Sequence, residues 1–399
     1  MSYRYRFEKR NTKSIGSIEN LLKALDLTQK HLDELLSLPE EQWYTSKEIP
    51  KSSGELRTVN NPHKFLRRFQ RRINRRIFHQ PYQRVGLIKW PNYLFGSVPS
   101  DPLQLNMSKD YIACAGMHCQ AKSVLKMDIA NFFDNINEQH VLNIFLNLLK
   151  FPNDVAELLT KICCYKGNVI QGALTSSYVA SAVLFDLEPK VVKRIHEKKL
   201  TYTRLVDDIT VTSRSSKYNF AYVKSLIIDM LYKKGLPTND SKTQEESLSS
   251  SDILIHGLRI CFKEPRLPSK EVGKIRASVK SIETFAKDPV FRTSKEYREI
   301  FNKSLGRVNR LKRLKHKQFE PLFNRLNRIK PLPCKSDIKR ARKLVYKIEG
   351  LYSKYGDGYR YRKMYFKAHY ELNILQRTFS NTAVELREKL KGIKPKYEN

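Results

Sequence analysis

Thr201-Tyr-Thr-Arg-Leu-Val-Asp207-Asp208-Ile-Thr-Val-Thr212 is the stretch on which the fold turns. A short extended run leads into the two aspartates, and beyond them Ile209 and Val211 alternate with Thr210 and Thr212. That period-two pattern predicts a strand, a turn and a second strand, with both carboxylates at the tip. Adjacent carboxylates repel each other, and divalent cations between them relieve the repulsion. Mg²⁺ held by one or two carboxylates plus substrate phosphates is the usual arrangement in polymerase sites. Standing alone, an Asp-Asp pair at a hairpin is as a rule a solvated turn.

A second acidic strand upstream changes that reading. Ser123-Val-Leu-Lys-Met-Asp128-Ile-Ala-Asn-Phe132-Phe133-Asp134-Asn-Ile136 reads as a mostly apolar buried strand that ends on Asp128 and passes into a helix. A carboxylate on one strand end and two on a neighbouring hairpin can converge on two metals, the constellation for in-line displacement at phosphorus. Between the two segments lies Gly167-Asn-Val-Ile-Gln171-Gly172-Ala-Leu-Thr175-Ser176-Ser177, a loop leading into an apolar helix from Tyr178 to Leu187. Its small residues allow the backbone to approach a ligand closely.

In this order the motifs resemble the reverse transcriptases, and within them the bacterial retron-type and defence-associated group, over about residues 18 to 330. Arg57-Thr-Val-Asn-Asn-Pro62, Leu66, Gln70 and Ile73 resemble the fingers motif, preceded by Ile49-Pro50-Lys51-Ser-Ser-Gly54. Asp128 with Phe132-Phe133 is similar to the first catalytic motif, Gln171-Gly172 with Thr175-Ser176 to the second, and Val206-Asp207-Asp208 to the third. Gly235-Leu-Pro-Thr-Asn239-Asp-Ser-Lys242-Thr243 resembles the fourth, and Leu254-Ile-His-Gly257-Leu258 the primer-gripping hairpin. Departures stand beside the matches. Leu205 occupies a position where Tyr or Phe is common, Ile170 and Ser177 stand where Pro is common, and Cys114-Ala115-Gly-Met-His118 and Ile255-His256-Gly257 replace two retron signatures.

The resemblance implies an α+β right-hand polymerase making DNA from deoxynucleotides on an RNA template. Asp128, Asp207 and Asp208, with the backbone carbonyl of Ile129, would bind two Mg²⁺ ions, with Mn²⁺ as a substitute. Lys242 would assist pyrophosphate departure, Arg57 and Lys64 would meet the triphosphate, and Gln171 and Gly172 the incoming nucleotide. Phe133 would lie under its ribose and exclude a 2′-hydroxyl. Gly257 would belong to the primer grip. The implied partners are an RNA template, the DNA product, a dedicated small structured non-coding RNA and a defence partner protein, with no membrane. Two alternatives share these residues: a polymerase that uses no nucleic-acid template, and a non-catalytic nucleic-acid-binding protein.

Composition points the same way. Lys and Arg number 75 against 40 Asp and Glu among 399 residues, a surplus of +35 that calls for a polyanionic partner. With no membrane-length apolar run and no signal-like N-terminus, nucleic acid is favoured over lipid and the expected location is cytoplasmic. The six cysteines show neither C-x-x-C pairs nor a disulfide framework. Cys114, His118 and Cys119 lack the second ligand pair that a structural zinc site needs.

The leucines at 21, 22, 25, 27, 32, 35 and 36 predict two short helices that form an N-terminal buttress, 1–48. Fingers would follow at 49–122. There Phe65, Phe69, Ile73 and Ile77 recur every four residues, and Arg68, Arg71, Arg72 and Arg75 fill other faces with no acid between Arg57 and Arg76, a pattern that favours phosphate contact. The palm would span 123–268, an antiparallel sheet backed by helices. A helical thumb at 269–330 would track a duplex through Arg307, Arg310 and Arg313. After Pro331-Leu-Pro333, a small helical extension at 331–399 carries many tyrosines among cations. Tyr359 and Tyr361, with Tyr355 and Tyr365, are either base-stacking residues or the core of that extension.

Overall fold

A computed structural model describes residues 3–10, 15–50, 54, 56–79, 86–100, 108–248 and 252–396. Lys51 to Ser53, in the stretch read as leading into the fingers motif, lie outside the described residues. The chain divides after Arg266 into two units.

The first unit begins with β1 (Glu8–Lys9), α1 (Ile18–Leu25) and α2 (Gln29–Leu36). The two expected short helices form because their leucines share one face: Leu21, Leu22, Leu25, Leu32 and Leu35 are all buried. An antiparallel hairpin of β2 (Tyr44–Pro50) and β3 (Leu56–Pro62) follows, then α3 (Lys64–Ile73), whose Leu66, Phe69, Gln70 and Ile73 turn inward. Next come β4 (Ile88–Lys89), which pairs with β1, then β5 (Leu94–Phe95) and α4 (Tyr111–Met117).

The centre of this unit is a five-stranded sheet that joins β5 to β6 (Ser123–Asp128), β7 (Thr201–Leu205), β8 (Asp208–Ser213) and β9 (Gln244–Ser247), in the order β5-β7-β8-β6-β9. The expected antiparallel sheet needs correction at one edge, where β5 runs parallel to β7; the other pairings are antiparallel. A parallel neighbour needs a long crossover, and here the chain from α4 through β6 and the helices supplies it. A second correction concerns the chain after Asp128. It passes through a turn in which Asn131 has φ 45°, and the helix starts only at Glu138, capped by Asn137. Helices α5 (Glu138–Asn143), α6 (Asn153–Cys163), α7 (Ser176–Ala182), α8 (Glu188–Glu197) and α9 (Ala221–Tyr232) back the sheet, and Val141, Leu159, Val179, Val192 and Ile227 join Leu125, Met127 and Val211 in one core. The helix expected from Tyr178 to Leu187 ends at Ala182. The unit closes with a hairpin of β10 (Leu254–Ile255) and β11 (Leu258–Arg259). Its two-residue turn has positive φ at both His256 (49°) and Gly257 (74°), the type I′ geometry that matches strand twist.

The second unit is helical: α10 (Ser269–Phe285), α11 (Lys295–Arg313), α12 (Phe319–Arg328), α13 (Lys335–Tyr355), α14 (Tyr359–Leu375) and α15 (Ser380–Lys391). Ile275, Val279, Val308, Leu311, Leu322 and Leu326 are buried along the first three. The last three share a core of Ala341, Val345, Ile348, Leu372, Leu386 and Leu390. Position 331, read as a boundary, lies inside this unit, where Arg298 of α11 donates to both carboxylate oxygens of Asp337 at the start of α13. Among the described residues, no helix is long and apolar enough to cross a membrane.

Candidate active site

Register brings the acidic strands together. β6 and β8 pair so that Asp128 lies opposite Asp208, and the amide of Ile129 donates to the carbonyl of Asp207 over 3.2 Å. Leu205 pairs with Asp208, leaving Val206 and Asp207 as the turn between β7 and β8, with Val206 held at φ 62°. The Lys242 segment lies along the other edge of Asp128. The Asn239 amide donates to the Asp128 carbonyl (2.8 Å), and Asn239 Nδ2 and Lys242 Nζ donate to Asp128 Oδ2 at 3.3 and 2.9 Å. Asp128 is buried, whereas the Asp208 side chain is half exposed.

Burial and mutual repulsion shape the electrostatics. Burial first, then the charges of Asp207 and Asp128, pushes Asp208 up to about 6. Asp207 is also raised, chiefly by burial, with Asp128 adding to it. The hydrogen bond to Asp128 raises Lys242 in turn. A site that disfavours its own negative charge fits a divalent cation, whose binding removes that penalty. Among the described residues no three acidic, histidine or cysteine side chains close into a ready-made cage. That is compatible with Mg²⁺, which keeps waters and substrate phosphates as ligands and takes only one or two carboxylates from protein.

Asp128, Asp208 and Lys242 line an open cleft of about 380 Å³ together with Leu254, Ile255 and His256 from the β10–β11 hairpin. His256 Nδ1 stands 3.9 Å from Asp208 Oδ2 and its Nε2 lies 3.4 Å from Cys114 Sγ. Burial, with the charge of Lys126 adding to it, lowers the His256 pKa and so disfavours an ion pair with Asp208. His118 is buried behind the sheet, where its ring nitrogens meet Thr212 Oγ1 (2.8 Å) and Thr203 Oγ1 (2.7 Å) and tie α4 to the hairpin strands.

The Gln171 loop is fixed by the first hairpin. Asn60 N donates to the Gln171 carbonyl (2.9 Å), and a Cβ on Gly172, which sits at φ 107°, would lie 2.0 Å from Asn60 O. Only glycine fits there. Gln70 adds a second tie, accepting from Leu174 N (3.0 Å) while donating to Tyr44 Oη (2.7 Å) and the Ile162 carbonyl (3.0 Å). Phe133 is half-buried beside Phe132, with ring centroids 6.1 Å apart. Arg57 and Lys64 are exposed, the latter with its ammonium 4.7 Å from the Phe65 ring centre.

The family model described as reverse transcriptase (RNA-dependent DNA polymerase) matches residues 49–281. Retron Ec48 reverse transcriptase of Escherichia coli is 42% identical over 386 residues, 96% of this chain and 93% of that protein. The chain belongs to the reverse transcriptases. Retron Se72 reverse transcriptase of Salmonella heidelberg is 28% identical over 390 residues, 96% of this chain and 98% of that one. Retron Ec86 reverse transcriptase of Escherichia coli is 25% identical over 211 residues, covering 52% of this chain and 65% of its own. The retron-type resemblance therefore holds, and likeness to the first two extends through the helical second unit. This reverse transcriptase is an RNA-directed DNA polymerase of a family that uses divalent metal ions.

One expected nucleic-acid contact, Tyr361, needs correction. Tyr361 is 1% exposed, in the core of α13–α15, with its hydroxyl donating to the Ile393 carbonyl; Tyr365 is buried beside it. Neither ring can stack on a base without unfolding that core. Tyr355 and Tyr359 are about half exposed, at 48% and 50%. On α3, Arg72 forms an ion pair with Asp26 (2.9 Å), and Arg68 approaches Glu34 (3.9 Å). Two cations of the acid-free run Arg57–Arg76 thus have acidic neighbours from the N-terminal segment. Arg71 and Arg75 are half-buried, Arg307 and Arg313 are exposed, and Arg310 is half-buried on α11. Gly257 lies in the hairpin turn beside the cleft. Sequence reasoning gave no role to Asn239, His256, Arg204 or Glu188. The last two had a readable signal, since an arginine within a strand whose flanking positions are all apolar or threonine must find a buried partner.

Proposed function

We propose that this reverse transcriptase extends a primer with deoxynucleotides, using Asp128, Asp207 and Asp208, with the Ile129 carbonyl, to hold two Mg²⁺ ions that Mn²⁺ can replace. The in-register pairing of Asp128 with Asp208, both lining one cleft, carries the reading. When bound, the ions would activate the primer hydroxyl and neutralise charge on the triphosphate. The chain's own groups do the rest. Lys242, whose ammonium already sits 2.9 Å from Asp128 Oδ2, supplies a proton or positive charge to departing pyrophosphate. Gln171 and Gly172 border the nucleotide, Arg57 and Lys64 take its phosphates, and Phe133 excludes a ribose 2′-hydroxyl. Residues 49–122 act as fingers, 123–268 as palm and 269–330 as thumb. Arg68, Arg71, Arg72, Arg75, Arg307, Arg310, Arg313, Gly257 and Tyr359 contact nucleic acid.

The template we propose is a small structured non-coding RNA dedicated to this enzyme, and the setting is cytoplasmic antiviral defence with a partner protein. Whole-length similarity to two retron reverse transcriptases supports this. The test of the site is Asp128→Asn and Asp207→Asn, each removing charge at nearly constant volume. Either lowers turnover by orders of magnitude while RNA binding survives. Substantial polymerisation by either variant would remove the assignment.

A further inference from the structure

Behind the catalytic turn lies an ion pair that the chemistry above does not use. Arg204, the fourth residue of β7, and Glu188, the first of α8, are both fully buried. The guanidinium grips the carboxylate with two bonds, Nε to Oε1 at 2.6 Å and Nη2 to Oε2 at 2.8 Å, and Tyr202 Oη adds a third to Oε1 at 2.8 Å. Its remaining donors go to backbone. Nη2 reaches the Ser181 carbonyl at 2.9 Å, and Nη1 reaches the Val206 carbonyl at 3.0 Å and that of Ala180 at 3.4 Å. One planar fork thus joins the last turn of α7, the start of α8 and the turn residue immediately before Asp207.

That turn residue needs holding. Val206 is β-branched and sits at φ 62°, a region that such side chains avoid. From the other side it is hemmed in by Gly96, where a Cβ would come within 3.0 Å of Val206 Cγ2. Stability is a weak reason to keep a buried ion pair, because well-packed apolar replacements are often neutral or better. Fixing geometry is a stronger one.

We propose that Arg204, held by Glu188, is a positioning residue that pins the carbonyl of Val206 and so fixes where the strained turn presents Asp207. It also makes α7, which follows the Gln171-Gly172 loop, and the catalytic turn one rigid piece. Lysine keeps the charge but cannot bond Glu188 and the Val206 carbonyl together, since it lacks the planar fork. The inference rests on Asp207 acting in catalysis as proposed above.

The test compares Arg204→Lys and the double variant Arg204→Met, Glu188→Leu with the unmutated full chain. Three readouts are taken: melting temperature, amide hydrogen exchange at residues 206–208, and a split of kcat from KM for a deoxynucleotide on an RNA template. Both variants should fold and bind primer–template as before, exchange faster at 206–208 than in β6, and lose kcat by roughly a hundredfold, with KM changed less than about twofold. Unmutated kcat in either folded variant, or a loss that merely follows the folded fraction with exchange at 206–208 unaltered, would overturn the inference. So would failure of both variants to fold, which would make the pair a stability element. Asp207→Asn runs in the same assay; its retention of turnover would sink the metal-site reading, whereas the exchange result bears on Arg204 alone.

Discussion

Asp208 sits at a cost in the metal-free protein. Burial and two neighbouring carboxylates raise it from 3.8 to about 6, so between those values the native state binds more protons than the unfolded chain and stability falls as pH rises. Asp208→Asn removes the repulsion. In chelator the variant should melt higher than the unmutated protein near neutral pH, and the gain should shrink as pH drops below about 6. A difference that stays constant across that range, or a lower melting temperature throughout, would contradict this account of the site. Phe133 offers a second test at this scale. Half-buried against Phe132, it is the residue we hold responsible for sugar selection. Phe133→Ala should admit ribonucleotides, with some loss of stability from the vacated packing. Competition between ribo- and deoxynucleotides, corrected for folded fraction, reads the effect, and unchanged discrimination would discard the role.

Elements show which features local pattern reveals. The turn between β7 and β8 was legible because period-two alternation survives on both sides of Asp207-Asp208, and the β10–β11 hairpin through the resemblance of Leu254-Ile-His-Gly257-Leu258 to a known motif. Contacts between distant segments were not. The acids that meet Arg68 and Arg72 come from α2 and from the residue that ends α1, and the two-residue β5 is too short to announce a parallel pairing. On α14, tyrosines among cations look alike in sequence whether they face solvent or core, and only packing against α13 and α15 separates Tyr359 from Tyr361. Tyr361→Ala should therefore cost about 3 kcal/mol of stability. Tyr359→Ala should cost less than about 1 kcal/mol of stability while weakening RNA binding by about 1–3 kcal/mol. Equal melting temperatures for the two variants would refute that division. The hairpin of β2 and β3 is coupled to the Gln171-Gly172 loop through Asn60, so Gly172→Ala should destabilise the first unit by about 2 kcal/mol. It should also raise KM for deoxynucleotide, and steady-state kinetics indistinguishable from the unmutated enzyme would show that the loop tolerates displacement from Asn60.

The molecule's +35 net charge suits a chain with a polyanionic partner, for which backbone contacts supply affinity and a few groups that read shape or bases supply specificity. Similarity to two retron reverse transcriptases over 96% of the chain ties the helical second unit to the same lineage as the catalytic one. The central claim is that Asp128, Asp207 and Asp208 direct DNA synthesis on RNA. The most direct measurement is to purify the full chain with the nucleic acid that accompanies it, supply deoxynucleotides and Mg²⁺, and sequence both the RNA and the DNA made, with Asp207→Asn run in parallel. The account predicts DNA complementary to one structured RNA species, absent from the variant. DNA unrelated to any copurifying RNA, or DNA made equally by Asp207→Asn, would contradict it.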